Sequence, residues 1–179
     1  MEIPPETKIL LGVVLLSLSV SFAHAQDPGT VAAAGAACGA GNVEFDVKTD
    51  KSQHPTLEPE TGKAVVYVIA GIPREAIIHL TVRVGLDGVW VGANQESSYF
   101  AFPVDPGVHH ICARVQSSAS VSAQLISLHR LTAEAGRVYY FRIATDNKGY
   151  SLVLQPVDED EGQYLVRTSA HSSSHPKPK

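Results

Sequence analysis

Cysteine is almost missing from this chain, with two residues, and so are methionine and tryptophan, with one each. No C-x-x-C pair is present, and none of the eight histidines falls into an H-E-x-x-H spacing, so the common zinc frameworks lack their ligands. No G-x-S-x-G elbow exists to expose a nucleophilic serine. Gly35, Gly39 and Gly41 lie in an Ala/Gly-rich stretch and not between a strand and a helix, where a phosphate cradle needs them. The net charge of −4 over 179 residues is small and of the wrong sign for a nucleic-acid partner. Paired carboxylates occur only at Asp158, Glu159, Asp160 and Glu161, a run that suits a solvated helix start better than acid–base work.

What is present begins with a targeting pattern. Residues 9–22 (ILLGVVLLSLSVSF) are apolar, shorter than the roughly 20 residues of a membrane-spanning helix, and followed by Ala23-His24-Ala25. Residues 1–25 therefore read as a signal peptide, making the chain exported, periplasmic or extracellular, with membrane contact only before cleavage. Residues 26–41 (QDPGTVAAAGAACGAG) read as a linker without fixed structure.

From residue 42 the text is that of strands. Val43, Phe45 and Val47 alternate with charged residues, and Ile78, Leu80, Val82 and Val84 share one face of another period-2 run. KAVVYVIA, residues 63–70, is apolar almost throughout, as a strand buried on both faces is. Asp87-Gly88 between apolar residues is a hairpin signal, and Asp105-Pro106-Gly107 reverses the chain again. About eight strands at this rhythm predict an all-β, antiparallel β-sandwich of transthyretin-like or Greek-key type over residues 42–157. Residues 158–168 are expected as a short helix and residues 169–179 as a disordered tail.

In an exported chain an even cysteine count reads first as a disulfide, here Cys38–Cys112. Ile111, Ala113 and Val115 form the apolar face of their strand, so Cys112 points the other way and a bridge pins the N-terminal arm across the outside of a sheet. The alternative is two free thiols. His109 and His110 are adjacent on a strand and point to opposite faces, which argues against a shared metal. His79 and His129 stand alone, and no metal or cofactor is implied. Most aromatic residues are needed to fill the core. Trp90, just past the hairpin turn, and Tyr99 are the candidates for a ligand-binding rim.

The ordered pattern GKAVVYV (62–68), Asp87-Gly88 followed by Val91-Gly92, Ser98-Tyr99-Phe100, Pro106-Gly107-Val108-His109, Ala135-Gly136 and Tyr139-Tyr140-Phe141 resembles the uncharacterised bacterial envelope family known as domain of unknown function 2846. The resemblance covers residues 43–157 and implies a secreted or lipoprotein envelope protein with no established activity. This chain departs from the lipoprotein members in having no cysteine directly after the apolar run. The layout is also similar, at the level of fold, to PEGA-type and other transthyretin-like β-sandwich modules, which are non-catalytic.

The expectation is thus an exported, non-catalytic interaction or structural module, acting on an unknown envelope protein or glycan. A carbohydrate- or peptidoglycan-binding module is the alternative, carried by Trp90 and Tyr99. A hydrolase with a dispersed site ranks last.

Overall fold

The computed structural model describes residues 32, 36–39, 43–71, 80–116, 125–145 and 151–178. The expected signal segment and most of the linker lie outside the described residues. In chain order the elements are β1 (Phe45–Asp50), β2 (Ala64–Gly71), β3 (Thr81–Leu86), β4 (Val89–Gln95), β5 (Ser97–Val104), β6 (Gly107–Gln116), β7 (Ile126–Ala133), β8 (Val138–Thr145), β9 (Leu152–Val157), a helix α1 (Glu159–Thr168) and β10 (Ala170–Pro176). The strands form two sheets, β1-β10-β5-β2-β8-β9 and β4-β3-β6-β7, packed face to face. The all-β sandwich read from the sequence is the observed architecture. Its six-stranded sheet is mixed, because β2 runs parallel to β8 and β10 parallel to β5, and the remaining pairs are antiparallel.

Alternation along the strands sorts side chains into layers. Val66 and Val68 of β2 face the second sheet, where they meet Val82, Val84, Ile111, Ala113 and Val115. Val65, Tyr67 and Ile69 face away and form a second apolar cluster with Tyr99 and Val166 of α1. That double burial is why β2 reads as a continuous apolar run. Asn94 reaches across the sandwich, its Nδ2 donating to the Val68 carbonyl at 2.9 Å.

The punctuation was legible. Asp87 and Gly88 have φ of 48° and 87°, the left-handed pair that a two-residue hairpin needs to match strand twist. Asp158 caps α1, accepting from the Glu161 N–H at 2.8 Å, with Glu159, Asp160 and Glu161 in the first turn and Arg167 in the last. The helix expected over residues 158–168 is therefore present. It lies so close to the six-stranded sheet that only a glycine fits at position 162, against the Tyr140 ring.

Two expectations are corrected. Residues 169–179, read as a disordered tail, supply β10, which pairs with β1 over six residues and touches β5. Its serines hold it: Ser172 Oγ donates to the Ala93 carbonyl at 3.0 Å, and Ser174 Oγ accepts from the Ala93 N–H at 2.9 Å. Hydroxyls that pair with the edge of β4 stitch the two sheets together, and such polar stitching leaves no hydrophobic signature. The strands therefore number ten instead of about eight among the described residues. The linker is corrected in part. Ala37 is fully buried, and Gly88 N–H donates to its carbonyl at 3.1 Å, so the arm at residues 37–39 is packed on the sandwich.

Candidate binding cleft

Cys38 and Cys112 form a disulfide. It lies on the outer face of the four-stranded sheet, where Gly85 stands opposite Cys112 in register. Trp90 pairs with Gly85 and shares that face. The Arg83 guanidinium sits 4.6 Å from the Trp90 ring centroid, and the Gly39 backbone approaches the same ring. Arg83 also donates to the Val43 carbonyl at 2.6 Å, and its pKa is lowered by burial first and by Arg114 second. Trp90 is thus packed into the seat of the N-terminal arm.

Tyr99 belongs to the other sheet and is 1% exposed. Its hydroxyl donates to the Pro55 carbonyl at 3.1 Å, and its ring stacks with Tyr67 at 6.2 Å. Burial, reinforced by Tyr67, raises its pKa. Tyr67 Oη accepts from the Leu57 N–H at 2.6 Å and donates to the Leu57 carbonyl at 3.2 Å. Two tyrosines therefore clamp the loop of residues 51–62 over the sheet. The rim expected from Trp90 and Tyr99 does not form, because the two lie on the outer faces of different sheets.

The histidines also separate. His109 Nδ1 lies 2.6 Å from Asp87 Oδ2 and Nε2 lies 2.8 Å from the Asp105 carbonyl oxygen, so both ring nitrogens are engaged in hydrogen bonds. Asp87 Oδ1 accepts from the His110 N–H at 2.8 Å, and Lys63 pairs with Asp105. This network fastens the two turns at one end of the sandwich. Among the described residues no group of three or more histidine, cysteine, aspartate or glutamate side chains is placed to hold a metal ion. His79 lies outside the described residues.

His129 differs, and it leads to a cleft among the described residues. It projects from the inner face of β7 and meets the Phe141 ring of β8 edge-on at 4.9 Å. Burial lowers its pKa, which favours the neutral imidazole. Around it lies a cleft of about 480 Å³ between β7 on one side and β8 and β9 on the other, with Tyr139, Arg130, Arg137 and Pro156 in its wall. At the opposite end the sheets are closed, because Ser127 Oγ accepts from the Leu154 N–H at 2.9 Å. Tyr139 is positioned by its hydroxyl, which accepts from the Glu134 N–H at 3.0 Å.

The charges in the wall are unequal in their commitments. Asp158 caps α1, and Glu159 accepts from Gln163 Nε2 at 3.1 Å. Among the described residues neither the Arg130 nor the Arg137 guanidinium has an ion-pair or hydrogen-bond partner. The cleft thus combines the Arg137 guanidinium, a half-buried imidazole and an aromatic wall, with the Arg130 guanidinium on the outer side of β7 at its edge, a set suited to binding. Sequence reasoning passed over both arginines; the one available signal was a histidine on the inward face of β7. Compared with protein-family models, curated proteins and solved structures, the chain has no match in any of the three.

Proposed function

We propose that this chain is an exported, non-catalytic β-sandwich module that engages another molecule of the cell envelope through the cleft between β7 and β8–β9. The observation that carries the reading is the cleft itself, where Arg137 lies with His129, Tyr139 and Phe141 and Arg130 stands at the outer edge, neither guanidinium having a partner among the described residues. The Cys38–Cys112 disulfide supports export, since such bonds persist in oxidising compartments. The likeness to domain of unknown function 2846 and to PEGA-type modules belongs to the same reading. The glycan alternative relied on an open Trp90 platform, and the packing of Trp90 against Arg83 and Gly39 does not favour it.

The test is capture from a solubilised envelope fraction by immobilised native protein and by an Arg130→Ala/Arg137→Ala variant. A discrete partner held by the native protein and lost by the variant is the expected result. Equal retention by both removes the cleft from the function, and recovery of glycan in place of protein returns the carbohydrate reading.

A further inference from the structure

The backbone of β7 adds what the side chains of the cleft do not specify. Val115 N–H donates to the Leu125 carbonyl at 3.1 Å, which marks that pair as a hydrogen-bonded one in the β6–β7 ladder. Hydrogen-bonded pairs recur at every second residue, so Ser127, His129, Leu131 and Ala133 turn their N–H and C=O groups towards β6. Ile126, Leu128, Arg130 and Thr132 turn theirs the other way. Among the described residues β7 is the last strand of its sheet and nothing pairs with it on that side, which makes it an edge.

β9 covers only one end of this edge. Leu154 N–H is used on Ser127 Oγ, and two residues on, where a further donor would point, stands Pro156, which has no N–H. The gap opens there, in front of the backbone groups of Arg130 and Thr132, which have no partner among the described residues. Natural sheet edges are commonly blunted by lysine, proline or a covering loop. β7 carries Ile126 and Leu128 exposed on its outer side and no proline.

Resting on the interaction-module reading above, we propose that the cleft receives an extended acidic peptide segment of a partner, added as a further strand to the edge of β7 at residues 128–132. Main-chain pairing with Leu128, Arg130 and Thr132 supplies the register. Alternate side chains of the added strand enter the cleft against His129, Tyr139 and Phe141, so these are apolar. Those between them meet the outer side of the sheet beside Arg130, and Arg137 in the cleft wall adds a second cation. Two guanidiniums select carboxylates over amines. Asp158 and Glu159 line the same wall and repel carboxylates there, so the acidic side chains of the segment are those on the outer side, beside Arg130.

The experiment uses the full disulfide-bonded chain and an octapeptide alternating valine and glutamate. Its glutamine counterpart and a version N-methylated at alternate backbone nitrogens serve as comparison peptides. Amide hydrogen exchange of Leu128, Arg130 and Thr132 is expected to slow on adding the glutamate peptide. Affinity is expected to fall about tenfold for the glutamine peptide and for the Arg130→Ala/Arg137→Ala protein. The peptide N-methylated on its pairing side should not bind. Unchanged exchange at these three amides, or equal binding by the glutamate and glutamine peptides, overturns the proposal. If no peptide binds while the envelope partner is still captured in an arginine-dependent way, strand addition is rejected and the interaction module stands.

Discussion

Gly85 leaves the space that the Cys38 backbone occupies: a Cβ on Gly85 would come 3.0 Å from Cys38 Cα and 2.7 Å from the Ala37 carbonyl oxygen. The disulfide to Cys112 and the missing side chain on the neighbouring strand are one device, which seats the arm flat on the sheet. Gly85→Ala should therefore destabilise the oxidised protein by about 1–3 kcal/mol, since the crowded atoms are backbone and cannot rotate away. In a Cys38→Ala background, where the arm is free to lift, the same substitution should cost clearly less. Urea unfolding of the four proteins of this cycle gives the coupling directly; additive losses would show that Gly85 and the bridge act independently.

Removing the bridge alone tests the chain-entropy view. The bond closes a loop of 74 residues in sequence separation, and its loss should lower stability by up to about 4 kcal/mol. The Trp90 environment should change at the same time, because Gly39 no longer rests on its ring. Tryptophan emission of reduced protein under native conditions reads this, and an unshifted spectrum would mean that the arm stays seated without the bond.

At Gly162 helix propensity and packing oppose each other. Alanine is better than glycine inside a helix by about 1 kcal/mol. A Cβ at 162, however, would stand 2.6 Å from Tyr140 Cβ and closer still to Cγ, so α1 must move off the sheet. Packing should win, with Gly162→Ala less stable by about 1–3 kcal/mol in denaturant unfolding. A neutral or stabilising result would show that α1 is only loosely held.

Tyr67→Phe removes one hydroxyl that serves both the N–H and the carbonyl of Leu57. The expected loss is about 1–2 kcal/mol, with faster amide exchange confined to the loop of residues 51–62. Acceleration spread over β2 and β5 instead would mean that the loop is not separately clamped.

The Asp87 carboxyl provides a pH test. Burial raises its pKa, and the hydrogen bonds from the His109 ring and the His110 N–H outweigh that and leave it below the ordinary aspartate value. A folded-state pKa below the unfolded one means that Asp87 contributes stability above about pH 4, and that the contribution is lost as pH falls through the folded value. Asparagine tolerates the left-handed backbone at this turn, so Asp87→Asn should keep the hairpin. The variant's stability should decline less steeply below about pH 4, measured as unfolding midpoints across a pH series. An identical slope in both proteins would assign the acid sensitivity elsewhere.

Local chemistry carried most of the fold. A left-handed pair at Asp87-Gly88, a capping aspartate at 158 and a doubly apolar β2 are read from a few neighbouring residues, because each answers a local backbone or burial demand. The side of β6 on which Cys112 lies follows from alternation, and with it the position of the arm across the outside of a sheet. Tyr99 shows the limit. Its aromatic character was plain, yet its burial under the loop of residues 51–62 depends on a hydroxyl contact to Pro55, 44 positions away.

Period-2 alternation, turn residues and cysteine parity were enough to determine an all-β chain with one bridge, since each is a property of the chain within a few residues. Only the tertiary structure decided that the polar C-terminal segment is β10, because Ser172 and Ser174 bond to β4 and have no apolar partner to announce them. It alone decided the cleft as well. The cleft exists because Ser127 closes the corner between β7 and β9 at one end while Pro156 withholds a donor at the other, and the two come from strands that meet only when the sheets pack.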